Sequence, residues 1–225
     1  MGGTNILVEN SSVHNGDDCM PVCVHCRTRP SRPAPSLHAI PLFHRSTTGN
    51  EGVTSNVLGR NISCACGTNG GVIYNQGGEV HNVTFSGFLV RGTNQGAGIK
   101  LSRPGKDASG GRVENVTWAD YRIEGPRYAA LYINVFSEDA QPPCELPKDP
   151  ALPNWLTVRG ALFRNVSASV PAGQAAGCFR CTPGAPCGMV ADGLRVVEAG
   201  SGAAARPFVC RNAHMAGAAE PSACA

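Results

Sequence analysis

The sequence predicts an all-β fold, a parallel β-helix in which short strands stack coil upon coil. Three observations lead there. A short phrase built around asparagine returns five times, glycine and proline are abundant at 28 and 17 residues, and no stretch carries helical periodicity.

The phrase reads Thr4-Asn5-Ile6-Leu7-Val8-Glu9-Asn10, then Gly59-Arg60-Asn61-Ile62-Ser63-Cys64, Val80-His81-Asn82-Val83-Thr84-Phe85, Val113-Glu114-Asn115-Val116-Thr117-Trp118 and Phe163-Arg164-Asn165-Val166-Ser167. Each is a short strand in which β-branched residues alternate with polar ones. From Asn61 to Asn82 to Asn115 the phrase returns after 21 and then 33 residues. Such a drifting period suits a solenoid whose loops vary in length. A β-sandwich would also give short strands, with turns at intervals of roughly 8 to 12 residues; recurrence of the phrase itself favours the solenoid. Residues 53 to 136 are therefore expected to form parallel strands, with Val72, Val83, Ile99 and Val116 filling the interior.

Two stretches depart from the pattern. Residues 27 to 50 are rich in Arg, Pro, Ser and His and read as an irregular insert, and Gln141 to Pro153 reads as a second loop. Residues 173 to 225 hold five of the eleven cysteines and read as a disulfide-pinned C-terminal cap.

Composition narrows the function. A net charge of +3, scattered along the chain, gives no nucleic-acid footprint, yet it would not repel an acidic polysaccharide. Eleven cysteines point to disulfides and hence to an oxidising, extracellular setting. Five Asn-x-Ser/Thr sequons, at Asn10, Asn61, Asn82, Asn115 and Asn165, agree with secretion, although Asn-Val-Thr is also an ordinary strand-edge sequence. No run approaches the roughly 20 apolar residues of a membrane span. With no leader at Met1-Gly2-Gly3-Thr4, the chain reads as the C-terminal portion of one β-helix domain that begins upstream.

The segment with most chemistry is Val13-His14-Asn15-Gly16-Asp17-Asp18-Cys19. Acid hydrolysis of a glycosidic bond needs one carboxyl to protonate the leaving oxygen and one carboxylate to activate water. On a regular strand two adjacent side chains face opposite sides, so the turn must twist both toward one groove. Taken alone, Asn-Gly-Asp-Asp reads as an ordinary turn or part of a calcium site, since such turns are common. Cys19, Cys23 and Cys26 with His25 lack a second ligand pair at zinc spacing, so no metal is assigned. His14, His25, His38, His44, His81 and His214 read as surface or satisfied histidines.

The order of these segments adds a resemblance. Asn-Ile-Leu-Val-Glu-Asn, then NGDDC, then CACGTNGGVIYN, then Gly96-Ala97-Gly98-Ile99-Lys100, then Gly-Gly-Arg-Val-Glu-Asn-Val-Thr-Trp resembles the family 28 glycoside hydrolases, the polygalacturonases. Cys178-Phe179-Arg180-Cys181, Pro186-Cys187 and Phe208-Val209-Cys210 resemble the same family's C-terminal cysteine pattern. The resemblance implies a right-handed, single-stranded parallel β-helix. It implies Asp17 and Asp18 as the catalytic acid and base, and Lys100 as the contact to a substrate carboxylate. It also implies disulfides Cys19 to Cys66, Cys181 to Cys187 and Cys210 to Cys224, with Cys23 and Cys26 as candidates for the unpaired thiol.

Departures accompany the matches. Where the family has its histidine, the alignment places Gly70 or, one residue earlier, Asn69, which is kept as a substrate-binding candidate; neither shuttles a proton. Gly98 replaces the arginine of R-I-K, so bidentate recognition of a carboxylate is lost there. The family's Asn-Thr-Asp aspartate has no counterpart, and its later tyrosine falls near Phe136 or Ser137. The resulting expectation is a secreted, monomeric, inverting hydrolase of a pectic polysaccharide. It needs no metal or organic cofactor and has no nucleic-acid or membrane partner. Its rival is a degenerate β-helix that binds glycan without turnover.

Overall fold

The computed structural model describes residues 3–14, 16–23, 52–75, 78–101, 111–135, 156–181, 184–221 and 224. The irregular insert expected at 27–50 and the loop expected at 141–153 lie outside them. Among the described residues fourteen strands follow in chain order: β1 (Thr4–His14), β2 (Met20–Cys23), β3 (Val53–Ala65), β4 (Asn69–Asn75), β5 (Gly78–Ser86), β6 (Leu89–Arg91), β7 (Gln95–Leu101), β8 (Gly111–Glu124), β9 (Ala129–Asn134), β10 (Leu156–Val170), β11 (Gly177–Arg180), β12 (Cys187–Glu198), β13 (Val209–Arg211) and β14 (Ala213–Glu220).

The chain alternates between two sheets. One runs β1-β3-β5-β8-β10-β12-β14, with β6 beside β3 and β8; the other runs β13-β11-β9-β7-β4-β2. Every strand pair is parallel, which excludes the antiparallel sandwich and gives the coil-by-coil stacking of a solenoid. All five copies of the asparagine phrase fall in the larger sheet. Residues 177 to 220 continue both sheets as β11 to β14, and bridges Cys181–Cys187 and Cys210–Cys224 pin them as the cysteine pattern implied.

The register corrects the phrase alignment. Asn82 lies opposite Asn56, between the pairs Ser55↔His81 and Val57↔Val83, so the structural repeat there is 26 residues. Asn61 instead shares a rung with Gly87, whose Cβ would fall 2.7 Å from Asn61 Oδ1. The cause is a set of left-handed corners five residues apart within one coil: φ is 55°, 53° and 59° at Asn56, Asn61 and Cys66, and 56°, 67° and 58° at Asn82, Gly87 and Gly92. Only Asn, Asp and Gly tolerate that region cheaply, and here the corner residue is almost always one of them. Stacked corners make ladders. Asn56 Nδ2 donates to Asn5 Oδ1 at 3.1 Å, Asn82 Nδ2 to Asn56 Oδ1 at 3.2 Å, and Asn115 Nδ2 to Asn82 Oδ1 at 3.4 Å.

Between the sheets, side chains from successive coils stack on their own kind. Phe85, Trp118 and Phe163 share one register row, with ring centroids 5.8 and 4.9 Å apart, close to the strand spacing of about 4.8 Å. Phe179 and Phe208 extend the row at 6.0 and 5.1 Å. Val83, Ile99 and Val116 lie in this core as expected. Val72 does not: it is fully buried, but in a separate cluster with Tyr132 and Cys178. Strand alternation explains the difference, since the neighbouring Ile73 takes the inward position.

The larger and smaller sheets are also tied across the interior. Trp118 Nε1 donates to the Gly71 carbonyl at 3.1 Å, while Gly71 N–H donates to Tyr121 Oη at 2.7 Å. A Cβ at Gly71 would fall 3.0 Å from that hydroxyl and 2.8 Å from the Phe85 ring, so the backbone must be bare there.

If the corner ladder carries stability, Asn82→Ala should cost about 1–2 kcal/mol by losing two side-chain bonds and straining an L-residue at positive φ. Asn82→Gly, which keeps the corner and loses only the bonds, should cost less. Chemical denaturation of both variants checks this ordering; equal stability of Asn82→Ala and the parent would refute it.

Candidate functional site

The aspartate pair sits where the chain leaves β1 and enters β2. Asn15 lies outside the described residues, but Gly16, Asp17 and Asp18 form the bend. The twist required of this turn is present. Thr68 Oγ1, on the coil above, donates to Asp18 Oδ1 and also lies 3.4 Å from Asp17 Oδ1, so both carboxylates converge on one hydroxyl. Asp18 N–H donates to Asp17 Oδ1 at 2.8 Å. The two environments differ: Asp17 is exposed, whereas Asp18 is 6% exposed.

Three contacts bind the turn to the next coil. Thr68 N–H donates to the Asp17 carbonyl at 3.0 Å and Cys19 N–H donates to the Asn69 carbonyl at 2.8 Å. The third is covalent, and it corrects the expected pairing. Cys19 is bridged to Cys64, with Cα atoms 5.7 Å apart, while Cys66 is a free, exposed thiol. Cys64 points into the core from β3, but Cys66 occupies the left-handed corner just past the strand's end, where the next coils place Gly92 and Gly125. That corner turns its side chain away from the bridge. Cys178 is buried in β11, and neither Cys26 nor the Cys23 side chain falls within the description.

Asn69 is fully buried and engaged on both sides. Its Nδ2 donates to Asp18 Oδ1, and its Oδ1 accepts from Tyr132 Oη at 3.1 Å. Of the two positions aligned with the family histidine, Asn69 is thus the one that reaches the pair. Gly70 has no room for a side chain: a Cβ would fall 2.2 Å from the Gly96 carbonyl oxygen.

Tyr132 was not legible as a site residue. Phe136 and Ser137, the positions aligned with the family tyrosine, lie outside the described residues. Tyr132 reaches Asn69 from two coils away, and it also accounts for the glycine at position 98. A Cβ at Gly98 would fall 2.1 Å from the Tyr132 carbonyl oxygen and 2.6 Å from its ring, so any larger residue would displace this tyrosine. Burial raises the Tyr132 hydroxyl well above the ordinary phenol range, and the Asp18 charge adds to the effect. It therefore remains an O–H donor to Asn69.

Lys100 lies one register step from Tyr74, with Nζ 4.0 Å from the ring centroid. Its row continues through Asn134, Arg180 and Arg211. None of the six strands of the smaller sheet contains a carboxylate, and between them they carry Lys100, Arg180 and Arg211. Asp17 and Asp18 stand at the entry to that cationic sheet. Arg180 and Arg211 carry no sequence signal of their own, because only the register puts them in line with Lys100.

No protein-family model, no curated protein and no solved structure matches this chain. What the site can do is therefore argued from its own atoms and from the motif order.

Two tests follow. Cys64→Ser opens a loop of sequence separation 45 and should cost roughly 3 to 4 kcal/mol, while Cys66→Ser should be nearly neutral. Thermal unfolding of both variants measures the contrast, and a larger loss from Cys66→Ser would reinstate the expected pairing. The second test concerns alkali. Tyr121 and Tyr132 both have folded-state pKa values raised by burial. A group of this kind stabilises fully below its unfolded pKa of about 10 and loses that contribution as pH rises toward the folded value. Melting temperature should fall above pH about 10, and Tyr132→Phe should flatten the fall while lowering stability at neutral pH. An unchanged alkaline slope would contradict the assignment.

Proposed function

We propose that this protein hydrolyses O-glycosidic bonds in an acidic, pectic-type polysaccharide, outside the cell, on a right-handed single-stranded parallel β-helix. The observation that carries this reading is the convergence of Asp17 and Asp18 on the Thr68 hydroxyl at the entry to a carboxylate-free, cationic sheet. One carboxyl protonates the departing glycosidic oxygen as its bond to the anomeric carbon breaks. The other takes a proton from the water that attacks this carbon from the opposite face, which inverts the configuration. Lys100 supplies the charge complementary to a uronate, and the loss of arginine at Gly98 argues for a substrate other than plain polygalacturonate. The three disulfides among the described residues suit an oxidising compartment and support the extracellular placement.

One observation favours a second reading, a glycan-binding β-helix without turnover. Thr68 and Asn69 both donate to the same Asp18 oxygen, and the position aligned with the family histidine is filled by an amide that cannot move a proton.

Reducing-end release from polygalacturonate, rhamnogalacturonan and xylogalacturonan separates the two. The hydrolase reading expects release from at least one of them, a fall of about 10²- to 10⁴-fold in Asp17→Asn and Asp18→Asn, and a raised KM in Lys100→Ala. Binding to these polymers with no release would sink hydrolysis in favour of the second reading. Neither binding nor release would sink both.

A further inference from the structure

The turns that lead into the smaller sheet form a continuous rim along the solenoid axis. Thr68 N–H donates to the Asp17 carbonyl at 3.0 Å, Gln95 N–H to the Thr68 carbonyl at 3.0 Å, and Tyr128 N–H to the Asn94 carbonyl at 2.8 Å, so the turns before β2, β4, β7 and β9 lie against one another in that order. The aspartate pair stands at one end of this stretch. Arg127 and Tyr128 stand at the other, three coil steps away, a distance of about 14 Å at one strand spacing per step. Arg127 is exposed and Tyr128 half-buried. The Arg127 guanidinium carbon lies 5.1 Å from the Tyr128 ring centroid, which restrains a long, flexible side chain to one position over the ring. Among the described residues no carboxylate pairs with Arg127. The acidic residue nearest to it in sequence, Glu124, is already held by Arg91 and Arg122 at 2.8 Å each. Apart from Asp17 and Asp18, the rim residues 16–18, 67–68, 92–94 and 125–128 include no acidic side chain.

We propose that Arg127 and Tyr128 form a distal subsite for an acidic sugar, so that a bound polysaccharide lies along the solenoid axis with one uronate carboxylate on Arg127 and its other end at Asp17 and Asp18. The inference rests on the acidic-glycan reading given above, which both functional readings share, and not on turnover. A guanidinium presents a planar fork of N–H donors that matches both oxygens of a carboxylate, and stacking on an aromatic face leaves the edge of that fork open to solvent. Tyr128 acts on the ligand through Arg127, by removing in advance the rotamer freedom that binding would otherwise cost. The separation of about 14 Å is more than one sugar ring spans, so a monosaccharide fills only one end and the subsite selects for chain length as well as for charge. It is distinct from the Lys100 contact, since Lys100 lies near the end of β7 and Arg127 just before the start of β9.

The test measures binding by calorimetry on the full chain in an Asp17→Asn background, so that turnover does not consume the probe. The probes are galacturonic acid, long oligomers cut from polygalacturonate and from rhamnogalacturonan, and the same oligomers with their carboxyls methyl-esterified. At least one long acidic oligomer should bind, and Arg127→Gln should weaken it about tenfold, the loss expected of one charge-assisted pair. Arg127→Lys, which keeps the charge without the fork, and Tyr128→Leu should each fall between the two. Affinity for the monomer and for the esterified oligomers should not respond to Arg127→Gln. Arg159→Gln removes an exposed arginine from β10 of the larger sheet and controls for net charge; it should leave binding unchanged. Equal weakening by Arg127→Gln and Arg159→Gln would assign the effect to overall charge and overturn the proposal. So would unchanged binding in Arg127→Gln, an equal loss on the esterified oligomers, or no binding of either acidic oligomer. Binding that depends on Arg127 without release of reducing ends by the parent chain would sink hydrolysis and uphold the subsite, whereas release by the parent with binding indifferent to Arg127→Gln would do the reverse.

Discussion

Everything in this molecule depends on one constraint: successive coils must lie one strand spacing apart while the chain turns the same corners in the same places. A parallel ladder leaves no freedom to slip, because a one-residue shift would send every interior side chain outward. The corners enforce the register. Residues at φ near +55° recur five apart within a coil, and each meets its equivalent on the next coil through an amide bond or a bare glycine. Like residues are thereby brought over like residues, which is why Phe85, Trp118 and Phe163 stack as one row inside.

The aspartate turn inherits its geometry from this frame. Asp17 and Asp18 are adjacent and would diverge on a straight strand. They converge because the turn is held against the following coil by two backbone bonds and the Cys19–Cys64 bridge. The polar chain from Asp18 through Asn69 to Tyr132 then crosses further coils, so the buried carboxylate is positioned by groups far away in sequence. Glycines 70, 71 and 98 belong to the same arrangement. Each is bare because a backbone carbonyl or an aromatic group of another coil occupies the space that a side chain would need.

Cys66 shows how local conformation decides chemistry. It has the same strand parity as Cys64 and follows it by two residues, yet one is bridged in the core and the other is an exposed thiol. A left-handed φ at position 66 reverses the side chain's direction, and such a corner is not written in the cysteine spacing.

The sequence by itself determined that the chain is all-β and repetitive, that the asparagine phrases form strands, and that Val83, Ile99 and Val116 lie in the core. These depend on alternation and on a phrase that recurs, both local properties. It also singled out the Asp17–Asp18 turn, and the resemblance added Lys100 and the bridges Cys181–Cys187 and Cys210–Cys224. Tertiary structure alone decided that Asn82 pairs with Asn56 rather than Asn61, that Val72 belongs to a cluster outside the main core, that Cys64 takes Cys19, and that Tyr132 supports Asn69. Each of these is a question of register between coils, and loops of unequal length erase register from the linear sequence while the stacked corners restore it in space.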